Sequence, residues 1–398
     1  MLHSLIVMVK DVFLQAAKPF GFGAGVTGGG NLAPKSPENL ATLKAWLADG
    51  VPRVILINKV YDFTNSEGNT TGPGCTVWPQ CTNGNLVQQA INYQGWCQKQ
   101  AGAKSTTLNY CKAAITPLQV GSRKTLIGRG NQAVIKGKGL LIKAPSQNVI
   151  IQGIVFTGLN PRLVWGGDAI TLQGARKIWI DHCTFSDIGR QFIVSHPPEN
   201  VEVTISNNLF NGKSTWSPDC SNQHYWTLLL DGTGDQVTLA KNCFWHISGR
   251  SPKAGGSKAL VHHYNNFHSS SVGENMEVTN GALILSEGNV YEDVQLKNHQ
   301  QKPVTSAGGK VFAPDTSTQA APCQGSVGRA CVPNLIKSGG PLKFPLDTQV
   351  LGSVKTLPAV VQANVEATSQ VASRRFSDCG ASGTRDVQSA RGSGKNRA

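Results

Sequence analysis

Short apolar stretches recur through the middle of the chain, and each is followed by a polar bend and a further apolar position. Within a stretch, apolar and polar residues alternate over about five positions, which is the pattern of a β-strand with one buried face. Six copies align on their final apolar residue, at 148–156, 177–185, 202–210, 236–244, 259–267 and 282–290. Successive copies begin 23 to 34 residues apart, a spacing typical of solenoid proteins.

The bends of these units share a register. Asn208, Asn242 and Asn265 stand two positions before the final apolar residue of their units, and stacked Asn side chains can bond to one another and to strained backbone. The pattern predicts an all-β fold, a parallel β-helix, with an antiparallel sandwich of coincidental spacing as the alternative. The two longest gaps predict loops at 157–176 and 211–235 on one face, where a binding cleft would form.

Outside the repeats, the pattern predicts one helix and one strand near the N-terminus. Residues 36–38 (Ser-Pro-Glu) followed by Leu40, Leu43 and Leu47 are typical of a capped amphipathic helix. Residues 53–63 are predicted to form a strand. In the last two thirds of the chain we expect short strands and no helix.

Composition narrows the class of protein. The chain has 398 residues, of which 15% are charged, 44 are Gly and 20 are Pro. This Gly and Pro content suits a protein with many turns and is below that of a disordered chain. No uncharged apolar run approaches the roughly 20 residues of a membrane span, so a membrane protein and a coiled coil are excluded.

The net charge of +14 favours an anionic partner. Nucleic acid is not expected, because no basic stripe or nucleic-acid motif is present. Residues 373–398 hold six basic and two acidic residues, +4 of the total, in a Ser/Gly/Arg-rich stretch. We therefore expect a disordered tail at 353–398, a folded domain at 20–352 and a separate N-terminal segment at 1–19.

Cysteine usage indicates an oxidising compartment. The chain has ten cysteines and none shows the paired CxxC spacing of a zinc site. Three crowd into the polar stretch 75–97, and Cys323 and Cys331 bracket another polar stretch, which is typical of loops held by disulfides. The sequence therefore predicts a secreted protein without a metal site.

The N-terminus and one sequon bear on secretion. Lys10-Asp11 interrupts the apolar run of residues 5–14, so the expected leader is interpreted as truncated or mis-started. Asn69-Thr70-Thr71 is an N-glycosylation sequon.

Aromatic residues are concentrated in polar loops. Their flat faces suit sugar rings, and the N–H and O–H groups of Trp and Tyr suit hydroxyls. A single such residue could equally pack over the outside of the solenoid, but several together favour a carbohydrate cleft. The candidates are Trp78, Trp96, Trp165, Trp216, Tyr225 and Trp226.

Two arginines follow repeat units at corresponding places. Arg190 lies in Ile188-Gly189-Arg190-Gln191, and Arg250 in Ser248-Gly249-Arg250-Ser251-Pro252-Lys253. An isolated arginine of this kind would more often form a surface salt bridge. Because both occur at coil exits, beside Asp168 and Asp181, a catalytic role is favoured.

Together these motifs resemble fungal and oomycete pectin lyases, members of the first polysaccharide lyase family, which also contains pectate lyases. The resemblance runs from about residue 20 to 335 and rests on GFGAGVTGGG (21–30), VWGGDAITL (164–172), WIDHCTFSDIGRQ (179–191), HYWTLLLDG (224–232) and SGRSPK (248–253). It implies a right-handed parallel β-helix with an N-terminal capping helix. It also implies eliminative cleavage of methyl-esterified homogalacturonan, a plant cell-wall polysaccharide.

The resemblance also implies roles for particular residues. Asp168, Arg190 and Arg250 correspond to the catalytic site, with Arg250 abstracting the proton. The substrate-binding candidates are Trp78, Trp96, Trp165, Tyr225, Trp226, Asp181 and Lys253. One further cleft aromatic of the family has no match, because Thr227-Leu228-Leu229-Leu230 occupies that stretch and leaves one subsite unassigned.

The resemblance implies three disulfides, Cys75–Cys97, Cys81–Cys220 and Cys323–Cys331. Cys111, Cys183, Cys243 and Cys379 have no counterpart. Cys183 and Cys243 fall within repeat units and are expected to be buried thiols.

The resemblance leaves two substrates to separate, pectin and pectate. Pectate lyases use Ca²⁺, which needs roughly 6–8 oxygen ligands, but Arg190 stands where a calcium-binding carboxylate is expected. We therefore predict a monomeric enzyme that acts on esterified pectin without a cofactor. The alternatives are a calcium-dependent pectate lyase and an inactive β-helix that only binds pectin. Arg250 either acts as a base, with its pKa lowered by burial near Arg190 and Lys253, or stays charged and stabilises the enolate.

Overall fold

The computed structural model describes residues 18–381, apart from 83, 274–275, 296–307, 341 and 375. The leader-like run before residue 18 and the basic residues Arg385, Arg391, Lys395 and Arg397 of the expected tail lie outside the described residues.

Three parallel sheets wind around one apolar interior, as the repeat predicts. In spatial order, sheet 1 contains Arg53–Ile57, Lys124–Gly128, Gln147–Gln152, Arg176–Asp181, Val201–Ser206, Gln236–Ala240, Leu260–Tyr264, Leu283–Glu287 and Lys310–Phe312. Sheet 2 contains Leu118–Gln119, Leu140–Lys143, Ile170–Gln173, Ile193–His196, Leu228–Leu230, Lys253–Ala254 and Glu277–Val278. Sheet 3 contains Val60–Asp62, Val134–Lys136, Val155–Thr157, Thr184–Phe185, Leu209–Asn211, Cys243–Trp245, Phe267–Ser269, Val290–Glu292 and Leu335–Ile336.

Each coil passes from sheet 1 to sheet 3, then to sheet 2, and returns to sheet 1 one layer further along. Strands that follow one another within a sheet are parallel and in register, for example Ile178 beside Val203. The fold is therefore the predicted right-handed parallel β-helix, and the antiparallel sandwich is excluded.

Two small sheets project from the coils beside sheet 2. One is formed by Leu163–Val164, Gln89–Ile91, Asn69–Thr76 and Lys104–Cys111, and the other by Trp216–Ser217 and Leu86–Val87. The stretch from Asn69 to Ile115, called the N-terminal insertion below, also contains two 3₁₀ turns and one helix. They are Tyr93–Gly95, Cys97–Lys99 and Lys112–Ile115. These elements use both of the long gaps predicted to form a cleft.

Two consecutive residues form the bend from sheet 1 to sheet 3, and each has a different structural role. The first adopts a left-handed conformation, with φ of 53° at Asn207 and 61° at Lys241. The second is an Asn in a buried ladder, in which each side-chain amide donates to the next Oδ1 at 2.9–3.0 Å. The ladder consists of Asn208, Asn242, Asn266, Asn289 and Asn334.

In the fifth and sixth repeats, the positions equivalent to Phe244 are His268 and Tyr291, each one residue after the predicted Phe267 and Val290. Asn266 belongs to the ladder, whereas Asn265 takes the left-handed position at φ 53° and bonds to the backbone of Glu366. The cause in the fifth repeat is His268, which pairs with Phe244 in register and occupies an interior position that the sequence pattern assigned to an apolar residue.

A column of stacked rings fills the interior beneath sheet 3. Consecutive ring centres are 4.5–5.5 Å apart, within the range of favourable aromatic pairs. The column consists of Phe156, Phe185, Phe210, Phe244, His268 and Tyr291. Both ring nitrogens of His268 are buried without a hydrogen-bond partner among the described residues, and burial holds its pKa well below 6.5.

The predicted capping helix is Leu40–Ala48, and it closes the first coil with Leu43 and Leu47 fully buried. Its N-cap is Asn39, whose side chain accepts a hydrogen bond from the Thr42 amide at 2.9 Å. The predicted strand at 53–63 is two strands, because the chain bends between sheets 1 and 3.

The glycine-rich stretch 21–30 crosses the outside of sheet 1, beginning with the 3₁₀ turn Gly21–Gly23. The amides of Phe22, Gly23 and Gly29 donate to the threonine hydroxyls of three different coils at 2.9–3.0 Å. Gly28 has φ +57°, and a Cβ there would lie 2.1 Å from the hydroxyl of Thr125. Glycine is required at this position because the glycine-rich stretch lies this close to the sheet.

The C-terminal region is folded up to residue 381, so the predicted disordered tail is wrong for 353–381. Short helices at Ser317–Ala320, Gln324–Val327, Gln349–Val354, Pro358–Val361 and Thr368–Ala372, with 3₁₀ turns at Ala321–Cys323 and Phe376–Asp378, also contradict the expectation of no late helix. None of the helices in the described ranges is long and apolar enough to cross a membrane.

The C-terminal segment is held against sheet 3 by three kinds of contact. Cys379 forms a disulfide with Cys243, Arg374 donates to the backbone carbonyl of Asn265 at 2.7 Å, and Val371 packs into an apolar cluster on the sheet. Cys243 is therefore not the expected buried thiol. The Ser/Gly/Arg-rich composition of residues 373–398 gave the whole segment from 353 onward the appearance of a solvated tail.

The three implied disulfides and the buried thiol Cys183 follow the predictions. The three implied disulfides, Cys75–Cys97, Cys81–Cys220 and Cys323–Cys331, are all present. Cys183 is a buried free thiol, and Cys111 is a partly exposed one.

Replacing His268 with Phe should make the protein less sensitive to acid. The unfolded imidazole titrates near 6.5 but the folded one far lower, so below pH 6.5 the unfolded state binds a proton that the folded state excludes. Stability then falls with decreasing pH by up to about 1.4 kcal/mol per pH unit for each such histidine. Phe continues the ring column without titrating.

The measurement is the free energy of unfolding by denaturant as a function of pH. Between about pH 4 and 6, the slope for the His268→Phe protein should be smaller by about one proton. Above about pH 8, where both histidine states are neutral, the difference between the two proteins should be constant. Equal slopes over the acidic range would contradict the assignment.

Candidate active site

The candidate residues meet at one edge of sheet 2 because each directly precedes a strand of that sheet. Asp168 precedes Ile170–Gln173, Arg190 precedes Ile193–His196, and Arg250 precedes Lys253–Ala254. Since these strands belong to neighbouring coils, the sequence-distant residues are brought together on one face of the solenoid. Tyr225 and Trp226 enter from the coil in between.

Asp168 and Arg190 form a fixed pair at the floor of this site. Arg190 Nη1 lies 3.2 Å from Asp168 Oδ2, while Oδ1 accepts the Gln191 amide at 2.8 Å. The Arg190 guanidinium also lies over the Trp165 ring, 3.8 Å from its centre, a cation–π geometry. Only 7% of Arg190 is exposed, so its charge is held in one place.

Arg250 lies against two aromatic rings from the coil in between. Its guanidinium carbon lies 4.6 Å from the Trp226 ring centre and 5.6 Å from that of Tyr225. Its Nε is buried without a hydrogen-bond partner in the described part of the chain. Burial lowers the pKa of Arg250, and the charge of Arg190 lowers it further, whereas Tyr225 and Glu277 act in the opposite direction.

The five aromatic candidates form one wall beside these charges. Trp78 is the centre of the wall, with its ring centre 6.3 Å from that of Trp96 and 6.2 Å from that of Trp226. Trp165 contacts Trp96 edge-on at 6.4 Å, and Tyr225 contacts Trp226 at 4.9 Å. The wall packs against the Cys75–Cys97 disulfide, and two of its five residues, Trp78 and Trp96, come from the N-terminal insertion.

The two loops of the cleft are tied together covalently. Cys81 in the N-terminal insertion is bonded to Cys220 in the second long loop, and Leu86–Val87 pairs with Trp216–Ser217 as a short parallel ladder. Trp216 lies in this ladder, outside the apolar cluster that contains the aromatic wall.

Two of the predicted residues are placed differently from the rest. Asp181 is fully buried on sheet 1, where its carboxylate bonds to Ser206 and Asn207 at 2.7 and 2.8 Å. It lies on a different sheet from Asp168 and is inaccessible to a polymer, so its assignment to the cleft is wrong. Lys253 does lie on the outer face of sheet 2, paired with Glu277.

The unmatched stretch 227–230 forms the strand Leu228–Leu230 of sheet 2. Leu228 and Leu230 are fully buried in the interior, and Leu229 is 8% exposed. This part of the floor is therefore aliphatic, where the resemblance implies an aromatic residue.

Gln88 is a positioning residue that the sequence did not reveal. Its buried side-chain amide donates to the carbonyls of Pro161 and Gly189 at 2.9 and 3.1 Å, and its Oε1 accepts the Trp226 indole N–H at 2.9 Å. One side chain thus connects the insertion, the residue before Arg190, and the aromatic wall.

His224 also holds the backbone at Arg190 and Trp226 in place. Its Nε2 donates to the carbonyls of Arg190 and Trp226 at 2.8 and 2.9 Å, and its ring stacks on Phe192 with centres 4.2 Å apart. Burial lowers the pKa of His224 to about 4, so the ring stays neutral. Gln88 lies outside the motifs of the sequence, and His224 begins the motif at 224–232, but no local pattern indicates which backbone groups either side chain contacts.

The described residues contain no group of three or more His, Cys, Asp or Glu side chains arranged to hold a metal ion. Asp168, the carboxylate nearest to the expected calcium position, already has both oxygens engaged.

Comparison with known proteins gives consistent results. A family model described as pectate lyase matches residues 78–331. A probable pectin lyase F-2 of Aspergillus terreus is 45% identical over 82% of this chain and 66% of its own length. Pectin lyase B of Emericella nidulans is 43% identical over 81% of this chain and 83% of its own length.

Solved structures share the fold at low identity. A pectate lyase variant of Bacillus subtilis aligns with a TM-score of 0.58 and 16% identity over 92% of this chain and 97% of its own. A pectate lyase bound to a hexasaccharide aligns with a TM-score of 0.58 and 17% identity over 92% and 98% of the two chains.

Fold and site together define a parallel β-helix protein with an arginine-lined, aromatic-walled cleft. The chain belongs to the pectate lyase family. Within that family it is similar to fungal pectin lyases at up to 45% identity, which confirms the resemblance inferred from its motifs.

Replacing Gln88 with Met should weaken catalysis without preventing folding. Met fills a similar volume but cannot bond to Gly189 or Trp226. The backbone before Arg190 and the Trp226 ring therefore each lose a hydrogen bond that holds them in place. We expect kcat/KM to fall roughly tenfold, the equivalent of one lost buried bond network, together with a change in Trp fluorescence.

The control is Gln324→Met, at an exposed helix position that bonds only to the carbonyl of Gly328. Its activity and fluorescence should match the parent protein. A Gln88→Met protein with unchanged kcat/KM, measured well below its unfolding temperature, would show that Gln88 does not position the site.

Proposed function

We propose that the protein is a pectin lyase, which cleaves methyl-esterified (1→4)-α-D-galacturonan within the chain by β-elimination. The observation that carries the proposal is the buried Arg190–Asp168 pair beside Arg250, at the floor of an aromatic-walled cleft. The names of the relatives, pectin lyases, support the same substrate class.

The reaction needs a base and a positive environment. A base takes the C5 proton, the C5–H electrons form the C4=C5 double bond, and the C4 glycosidic oxygen leaves and is protonated. Negative charge develops on the C6 carbonyl oxygen in the transition state, and fixed positive groups stabilise it. Arg190 is suited to this role because its guanidinium is already oriented by Asp168 and Trp165.

Arg250 is the residue that we assign as the base. An exposed arginine is always charged, but burial and the charge of Arg190 lower the pKa of Arg250. The missing partner at Nε removes one interaction that would favour the charged form. Activity should therefore rise toward alkaline pH, as more of the neutral guanidine becomes available.

A methyl ester suits this site better than a free carboxylate. The ester carbonyl carries no charge to be neutralised, so the C5 proton is more acidic and no metal ion is needed to balance a carboxylate. The aromatic wall presents flat apolar surfaces to the sugar rings. Trp78, Trp96, Trp165, Tyr225 and Trp226 supply these surfaces.

We further propose a secreted, monomeric enzyme. Four disulfides suit an oxidising compartment, and the sequon residue Asn69 is exposed at the start of its strand, where it is accessible for glycosylation.

The substrate is tested by one assay on two polymers, each with and without a chelator. Highly esterified pectin should yield ultraviolet-absorbing unsaturated product at the same rate in both conditions, and polygalacturonate should yield little. Activity on polygalacturonate that disappears with the chelator would establish a pectate lyase instead. Binding of pectin without product would establish an inactive pectin-binding protein.

Replacing Arg250 with Lys should abolish formation of the unsaturated product. Lysine keeps a positive charge but cannot place a guanidine nitrogen over the substrate, so we expect a fall of at least about 10³-fold in kcat, typical of lost acid–base catalysis. Retained binding of pectin and an unchanged circular dichroism spectrum are the folding controls. Survival of most activity would overturn the assignment of Arg250.

A further inference from the structure

The outer face of sheet 2 carries a second ion pair besides Arg190–Asp168. Lys253 and Glu277 are directly opposite each other on neighbouring strands, and their charged groups are in contact. Their side chains are 23% and 13% exposed. Lys253 lies three residues beyond Arg250 in the chain, and the pair is on the face that carries the cleft.

This pair is more shielded from water than two exposed ion pairs on sheet 3. Lys136–Asp62 has both side chains 44% exposed, and Lys337–Glu292 has 47% and 34%. A charge interaction in a partly desolvated place is stronger than one in open water. Lys253 is therefore held by Glu277 more firmly than an ordinary surface lysine is held by its partner.

Among the residues that the structure describes here, both cations beside Arg250 already have a carboxylate partner. Asp168 neutralises Arg190, and Glu277 neutralises Lys253. The charge of Glu277 also reaches Arg250, where it opposes the lowering of the pKa. A galacturonate carboxylate arriving here would have to displace Glu277 and would lie close to its negative charge.

We propose that Glu277 determines specificity, selecting esterified over free uronate beside Arg250 by occupying Lys253 and repelling a carboxylate. This inference rests on the proposed pectin lyase function and names a source of its substrate preference. A methyl ester meets no such repulsion because it is neutral. Selectivity here comes from a repulsive element directed at the competing substrate.

The test compares kcat/KM on highly esterified and on weakly esterified pectin. Glu277→Gln keeps the size and bonding capacity of the side chain but removes its charge, which leaves Lys253 free to attract a carboxylate. The ratio of the two kcat/KM values should move toward weakly esterified pectin by roughly fivefold, the scale of a partly exposed ion pair. The shift should appear mainly as a lower KM for the charged polymer and should shrink with added salt.

Lys253→Met provides the opposite perturbation. It leaves Glu277 unpaired in the same place, so the ratio should move toward highly esterified pectin. A structural defect alone would lower both kcat/KM values together and would not give shifts of opposite sign. If Glu277→Gln does not fold, the sign of the Lys253→Met shift still decides the matter.

Glu292→Gln is the matched control, because it breaks the Lys337–Glu292 pair on sheet 3, away from the cleft. Its ratio should equal that of the parent protein. An unchanged ratio in both cleft variants, with the parent active on pectin, overturns the role of Glu277. A parent protein inactive on every pectin overturns the proposed function itself.

Discussion

Every feature of this protein depends on the stacking of successive coils in one register. The backbone of each strand bonds to the strands of the coils before and after it, and the buried Asn ladder repeats the same bond at every bend from Asn208 to Asn334. Leaving a buried amide without a partner costs about 1–3 kcal/mol. A shift of register at one bend would therefore break hydrogen bonds to the neighbouring members of the Asn ladder. The register is therefore fixed at the level of single atoms.

That rigidity is what allows charged groups to be kept in the cleft. Burying a guanidinium is unfavourable unless a partner compensates, and the coils supply different partners to the two arginines. Arg190 has a carboxylate and an indole face, whereas Arg250 has aromatic rings and an Nε without a partner among the described residues. The same residue type on two coils of one site can therefore carry different roles, because the frame keeps their environments distinct.

Periodicity was enough to predict the coils and the edge on which the cleft forms, since residues just before successive strands must line up. Periodicity did not predict the structure correctly where a single residue departs from the pattern. His268 replaces an apolar residue in the ring column and displaced the alignment, and Asp181 is close to Asp168 in sequence but lies on another sheet. Gln88 and the folded segment 353–381 act through contacts with residues more than 100 positions away, which no local pattern contains.

The charge of the whole chain is a poor guide to the charge of its site. A net charge of +14 describes the long-range field that a polyanion would meet in solution. At the cleft floor, Arg190 and Lys253 are each matched by a carboxylate, whereas Arg250 lies against the rings of Tyr225 and Trp226. A polymer whose acids are masked as esters gains from the aromatic wall and loses nothing to the paired carboxylates. A fully charged polymer would be attracted from a distance and disfavoured at contact, so selection takes place at the floor of the cleft.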